Sequence, residues 1–283
     1  MSKTKIMLVS GSIFNYQQFD YVLLPTLRSK LKDDYCFVQY DYVGIGGSSQ
    51  HEGDFDFLKI TEQHIQFMDA MGIDNAHHFG YSKGSLISFI TAMLNQERIL
   101  SVASYGSPNL AYMGDGSTKK EFAKRLEYLN SITGIWYNLM DSQNVRVVYD
   151  SVFLPTIFKG KQAYNLSFFE NIKSWWIRKK LNPLLEGTLI HNLVKLYQLY
   201  IEDITEEDKQ KYIDGLKGIS VPTMLLHSID DEIVPIEGAK ELAGQLENNI
   251  FVEYTKLSHS SPILLKKHGR KIITDYVNFI KSL

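Results

Sequence analysis

Hydrophobic positions along the chain switch repeatedly between two periods. Short apolar runs at Ile6–Ser10, Tyr35–Asp41, Asn75–Tyr81, Ile99–Gly106, Val221–Ser228 and Ile250–Lys256 have the length of buried strands. Between them, apolar residues recur at helical intervals. Leu24, Leu27 and Leu31 form one such set within Tyr21–Leu31, and Phe57, Ile60, Ile65, Met68 and Met71 form a second. Leu86, Ile90, Met93 and Leu94 form a third, Pro235–Leu246 is a fourth, and Leu265, Ile272, Tyr276 and Ile280 mark a closing helix over Ile263–Ile280. Strands alternating with helices predict an α/β fold, a mostly parallel sheet covered on both faces. Ligands of such sheets bind beyond the carboxyl ends of the strands, where Ser12, Gly44 and Ser82 fall.

The alternation lapses between residues 112 and 218. Helical stretches at Lys119–Ile132, Ser167–Leu181 and Leu189–Ile201 predict a helical lid inserted at 112–218 into a core made of 1–111 and 219–283. Within that insertion, Trp175 and Trp176 stand among Lys173, Arg178, Lys179 and Lys180. This is either a docking patch for an anionic acyl carrier or membrane surface, or a lid helix with one tryptophan buried and its lysines solvated. Phe153, Phe158, Phe168, Phe169, Tyr197 and Tyr200 make either an aromatic inner wall suited to an acyl chain or the lid's own core.

Composition narrows the classes. A formal net charge of −2 with 22% charged residues argues against a nucleic-acid partner, which would require a clustered positive surface. A single cysteine, Cys36, excludes an internal disulfide, disfavours a cysteine-based metal site and fits a reducing compartment. Lying in an apolar run, Cys36 reads as a small core residue. The apolar stretch Ile6-Met7-Leu8-Val9 behind Lys3 and Lys5 is too short for a signal-peptide core, and no apolar run approaches a membrane-spanning length. The expectation is a soluble cytoplasmic protein with no integral membrane segment.

The chemistry centres on Gly80-Tyr81-Ser82-Lys83-Gly84, placed between a buried strand and a helix. A serine at such a strand-to-helix turn is pushed clear of both elements, and glycines two residues to either side let neighbouring backbone approach. The helix that follows aims unpaired N–H groups and its positive end at an oxygen that becomes negative during acyl transfer. The glycine-rich loop Gly44-Ile45-Gly46-Gly47-Ser48-Ser49 is not a dinucleotide fingerprint, because Ser49 stands where the last glycine is required and no helix opens inside it.

A serine hydroxyl needs a base to take its proton and a carboxylate to orient that base. Two later strand ends supply them. One carries Asp230 and Asp231 before Val234-Pro235, and the other carries His259 between Ser258 and Ser260. Serine, acid and histidine then follow in the order expected of successive strand ends.

With Ser10-Gly11-Ser12, Asp41-x-x-Gly44-x-Gly46-x-Ser48, the Ser82 turn, Asp231-x-x-Val234-Pro235 and Ser258-His259-Ser260 in this order, the chain resembles an α/β-hydrolase with a helical lid over nearly its whole length. The resemblance implies a core sheet of about six strands, since the first two strands of the common eight have no counterpart here. It implies Ser82 as nucleophile, His259 as general base and acid, and Asp231 as the carboxylate that holds the imidazole. The backbone N–H groups of Ser12 and Lys83 would form the oxyanion hole. No metal or organic cofactor is implied.

Alternatives remain open on sequence. Asp230 competes with Asp231, and Asp115 follows an earlier strand where some relatives keep the acid. His77, His78 and His227, within strands, read as structural. Ser10 replaces the family's common histidine, which removes one stabiliser of the first loop. Lys83 sits at a helix's positive end, where a cation is disfavoured; it either attracts an acidic substrate or points to solvent or a glutamate. The function expected is a serine hydrolase cleaving a carboxylic ester or thioester with an apolar acyl portion through an acyl-serine intermediate. The same residues would serve a thioesterase, an acyltransferase or a lactonase. A non-catalytic small-molecule binder on this scaffold is the reading from another class.

Overall fold

A computed structural model of the 283-residue chain describes residues 3–12, 14–31, 34–49, 57–113, 184, 205–231 and 233–283. Six strands form one sheet: β1 (Thr4–Val9), β2 (Tyr35–Gln39), β3 (Ala76–Tyr81), β4 (Ile99–Tyr105), β5 (Thr223–Ser228) and β6 (Asn249–Tyr254). All neighbouring pairs are parallel, in the order β2-β1-β3-β4-β5-β6. Each of the six apolar runs read from the sequence is one of these strands.

The helices among the described residues are α1 (Leu23–Leu31), α2 (Phe57–Ala70), α3 (Lys83–Leu94), the single turn α4 (Leu110–Met113), α5 (Glu206–Lys217), α6 (Ile236–Gln245), the short α7 (Ser261–Leu264) and α8 (Lys266–Ser282). Successive residues of β3 show that they cover both faces. His78 meets His64 of α2, whereas Phe79 meets Tyr276 of α8 and Phe19. Because side chains alternate across a strand, α2 and α8 lie on opposite sides of the sheet. On one side α1 packs on α8; on the other α2 packs on α3, and α3 on α5.

Burial follows position in the sheet. All six residues of β3 and of β5 are buried, whereas β2 and β6, at the edges, are mostly half-buried. A central parallel strand is covered above and below, so its sequence is a continuous apolar run rather than an alternation. The helix α3 is buried from Lys83 through Ala92, with no polar stripe facing solvent. It is the central helix of its layer.

Four particulars differ from the sequence pattern. The closing helix is interrupted at Leu265, whose backbone is extended (φ −110°, ψ 115°), so α7 and α8 are separate. A Cβ on Gly269 would lie 2.4 Å from the Pro262 carbonyl oxygen, so the two helices meet closely at this corner. Cys36 is half-buried on the edge strand β2 rather than in the core. Met71 and Leu94, at the ends of their helical patterns, are more than half exposed. The expected lid helices at 119–132, 167–181 and 189–201, with Trp175 and Trp176, lie outside the described residues. Within the span assigned to the lid, α5 is described; it starts from a capping box between Thr205 and Asp208 and packs on α3, α4 and α6.

Candidate active site

The order of the strands reverses at β1 and β3, which pair with Val9 opposite Gly80. The loops leaving these two strands are therefore side by side at the carboxyl edge, the usual binding position in an open parallel sheet. Ser82 sits at the sharp turn from β3 into α3 with φ 53° and ψ −122°, a conformation that non-glycine residues seldom adopt and that costs roughly 1–3 kcal/mol. Its own N–H donates to the Tyr105 carbonyl at 2.9 Å, and its carbonyl accepts from Ser85 N–H at 2.8 Å. The flanking glycines leave no room for a side chain. A Cβ on Gly80 would lie 2.4 Å from Ser85 Cα, and one on Gly84 would lie 2.0 Å from the Val9 carbonyl oxygen.

Asp231 is buried on the loop after β5. Its Oδ1 accepts the N–H groups of Ile233 (2.9 Å) and Val234 (2.8 Å), and its Oδ2 meets His259 Nδ1 at 2.7 Å. Burial alone would raise this carboxyl, but the charge and hydrogen bond of His259, with help from His227 and the Val234 N–H, outweigh it and hold Asp231 below the usual carboxylate range. An ionised Asp231 favours the proton on Nδ1 of His259 and leaves Nε2 as the free base. Asp230 is not the partner: its Oδ2 accepts the Lys256 N–H at 2.7 Å. Asp115 lies outside the described residues.

His259 lies on the loop after β6 and is 6% exposed. Two strand tyrosines hold that loop from below. Tyr81 donates its hydroxyl to the His259 carbonyl, and Tyr105 donates to the Ser258 carbonyl at 3.3 Å. A Cβ on Gly106 would stand 2.8 Å from His259 Cε1 and 3.3 Å from Asp231 Oδ2. The end of β4 thus joins the parts: Tyr105 takes the Ser82 N–H, and the next residue touches the imidazole and the carboxylate.

His227 is fully buried, donates Nε2–H to the Val234 carbonyl at 2.9 Å and stands 3.7 Å from Asp231 Oδ2. Burial lowers its pKa first, partly offset by the Asp231 charge. Through its bond to Val234 it braces the Asp231 loop. His77 and His78 are also buried, and burial lowers both; His77 bonds Ser101 Oγ at 2.8 Å, and His78 faces His64 at 3.4 Å.

The first loop lies against the Ser82 turn: a Cβ on Gly11 would be 3.4 Å from both Ser82 Cβ and the Tyr81 carbonyl oxygen. Gly11 is held on both flanks by buried side chains. Its N–H donates to Gln18 Oε1 at 3.3 Å, and its carbonyl accepts the Tyr42 hydroxyl. The loop that carries Tyr42 is pinned in turn by Asp41, which accepts Tyr16 N–H at 2.7 Å and Gly47 N–H at 3.0 Å. The Lys83 side chain does not reach solvent. It is 1% exposed, with Nζ 3.8 Å from the centre of the Tyr42 ring, and burial lowers its pKa well below the ordinary lysine value.

Among the described residues no group of three or more His, Cys, Asp or Glu side chains could hold a metal ion, and no helix is long and apolar enough to cross a membrane. Sequence reasoning missed Gln18, Tyr42, Tyr81 and Tyr105. The available signal was weak: each tyrosine sits within or just after a strand, where an aromatic residue reads as core.

Residues 10–127 match the model of the alpha/beta hydrolase fold. The fold is that of the α/β hydrolases. It is 22% identical to the AB hydrolase superfamily protein YisY of Bacillus subtilis over 96% of this chain and 91% of that protein. It is 22% identical to the bifunctional esterase/perhydrolase DCH of Acinetobacter calcoaceticus over 89% of this chain and 84% of that protein. The crystal structure of a hydrolase from Pseudomonas aeruginosa PA01 superposes with a TM-score of 0.72 at 15% identity, covering 98% of this chain and 90% of the other.

Proposed function

We propose that this α/β-hydrolase is a serine hydrolase that cleaves a carboxylic ester or thioester with an apolar acyl portion through an acyl-serine intermediate. The observation that carries this reading is the hydrogen bond between His259 Nδ1 and Asp231 Oδ2, 2.7 Å long and buried, at the strand end against which Ser82 also rests. A buried imidazole with its Nδ1 committed to a carboxylate is a base at Nε2, and the strained serine bonded to the same strand end is the group that needs one.

In this scheme His259 Nε2 takes the Ser82 hydroxyl proton as the oxygen attacks the carbonyl carbon. The negative charge gathers on the former carbonyl oxygen, which the N–H groups of Ser12 and Lys83 receive at the positive end of α3. His259 returns the proton to the departing alcohol or thiol. Water then attacks the acyl-serine with His259 again as base, which releases the acid and restores the Ser82 hydroxyl. The acyl specificity would fall to the 112–218 insertion, whose sequence is rich in aromatic residues. The similarity to DCH, a bifunctional esterase/perhydrolase, supports ester chemistry.

The test is intact-mass analysis after a fluorophosphonate probe. One adduct mapping to Ser82 is expected on the wild-type chain, with none on Ser82→Ala and sharply slower labelling of His259→Ala. A folded wild-type chain that stays unlabelled sinks the proposal. A panel of esters, thioesters and lactones then separates esterase, thioesterase and lactonase.

A further inference from the structure

The Gly11 carbonyl and the Ser12 N–H belong to the same peptide unit. In a trans peptide these two groups point in opposite directions, so whatever grips the carbonyl fixes where the N–H aims. The buried Tyr42 hydroxyl grips it, and Gln18 Oε1 holds the N–H of the preceding peptide at 3.3 Å. Gly11 itself rests on the Ser82 turn.

We propose that Tyr42 and Gln18 are positioning residues for oxyanion stabilisation: their clamp on Gly11 aims the Ser12 N–H at the oxygen that becomes negative above Ser82. The inference deepens the serine-hydrolase reading and rests on it. Two physical consequences follow from the geometry. A glycine peptide free to rotate would lose the donor, whereas one held at its carbonyl is organised before the substrate arrives, which is how such donors acquire their effect. The hydroxyl also polarises the peptide it binds, so the Ser12 N–H becomes a stronger donor when the carbonyl at its other end accepts a hydrogen bond.

The Asp41 loop acquires a purpose here. Asp41 fixes the chain on either side of Tyr42 by accepting the Tyr16 and Gly47 N–H groups, and Gly46 permits the close turn: a Cβ there would lie 2.0 Å from Asp41 Oδ2. The clamp also explains how the loop manages with Ser10 where relatives commonly have histidine. Both flanks of Gly11 are held from elsewhere in the chain. Lys83 touches both arms of the arrangement, since its amine lies over the Tyr42 ring while its backbone N–H is the second proposed donor.

The experiment compares hydrolysis of an activated aryl ester with that of the matching thionoester, in which C=S replaces C=O. Sulfur is a weak hydrogen-bond acceptor, so the ester-to-thionoester rate ratio reports how well the oxyanion donors are aimed. Tyr42→Phe keeps the ring and removes only the hydroxyl; Gln18→Leu removes the other hold and serves if Tyr42→Phe does not fold. In either soluble variant kcat for the ester is expected to fall by about 10-fold or more, with KM within about two-fold and the ester-to-thionoester ratio reduced several-fold, since loss of a whole donor costs about 10²–10³. A merely structural role would slow both substrates alike and leave the ratio at its wild-type value. That result, or unchanged kcat in a folded variant, overturns the clamp while leaving the nucleophile assignment intact. If the wild-type chain neither turns over the ester nor takes the fluorophosphonate label, the serine-hydrolase reading has failed and the clamp with it.

Discussion

The carboxylate of Asp231 divides its two oxygens between two tasks: Oδ1 collects the N–H groups of its own loop at 2.9 and 2.8 Å, and Oδ2 meets His259 Nδ1 at 2.7 Å. Asp231→Asn tests that division. An amide can keep the loop bonds through its oxygen, but its NH2 then faces His259, which must turn its Nδ1 lone pair toward it and carry the proton on Nε2. A base in that tautomer cannot accept the serine proton. The expected outcome is a fall in kcat of roughly 10³–10⁴-fold with little change in melting temperature. Asp230→Asn, outside this contact, should leave kcat within about two-fold.

Gly106 should tolerate alanine poorly for a reason specific to the site. Its φ is 62°, and the added Cβ would press on His259 Cε1 at 2.8 Å. The left-handed backbone alone costs an alanine about 1–2 kcal/mol. Displacement of the imidazole adds a loss of fluorophosphonate labelling larger than the loss of stability explains. Labelling rate and melting temperature measured on the same Gly106→Ala sample give the comparison.

Acid should unfold the protein through its buried histidines. Burial, with Arg98 assisting at His64, lowers His64 and His77 from the ordinary 6.5 to about 4. The unfolded chain takes up protons below about 6.5 and the folded chain resists until about 4, so stability falls as pH drops through that window. Each histidine contributes a slope of about 1.4 kcal/mol per pH unit there. Urea melts at several values between pH 7 and pH 4 measure the slope. His77→Gln, which can still bond Ser101, should flatten it by one histidine's share.

Lys83→Met replaces a buried amine by an apolar chain of similar length. Burial holds the Lys83 pKa well below its unfolded value, so the unfolded chain binds the proton more readily and the wild type gains stability as pH rises toward the ordinary lysine range. The Met variant lacks this dependence. Its stability relative to the wild type should therefore fall steadily in melts carried from neutral pH toward pH 10.

Much of the fold was legible because strands and helices impose different periods on apolar residues. Each apolar run became a strand, and burial of β3 and β5 on both faces explains why those runs were continuous. The break at Leu265 was not legible: Leu265, Ile272, Tyr276 and Ile280 keep a helical interval across it, and the corner is set by how closely Pro262 approaches Gly269. Nor could periodicity distinguish Met71 and Leu94 from core residues, since exposure at a helix end depends on where the neighbouring element stops.

The sequence by itself determined the strand and helix order and the Gly80-x-Ser82-x-Gly84 turn, because these depend on interactions between residues close in the chain. It also placed Asp231 and His259 at strand ends. Only the tertiary structure showed that the Asp231 carboxylate meets His259 Nδ1 while that of Asp230 meets Lys256 N–H, groups more than two dozen residues away. The clamp on Gly11 was decided in the same way. Gln18 and Tyr42 lie 7 and 31 positions from the glycine they hold, and no local pattern records a contact that exists only once the loops after β1 and β2 fold against each other.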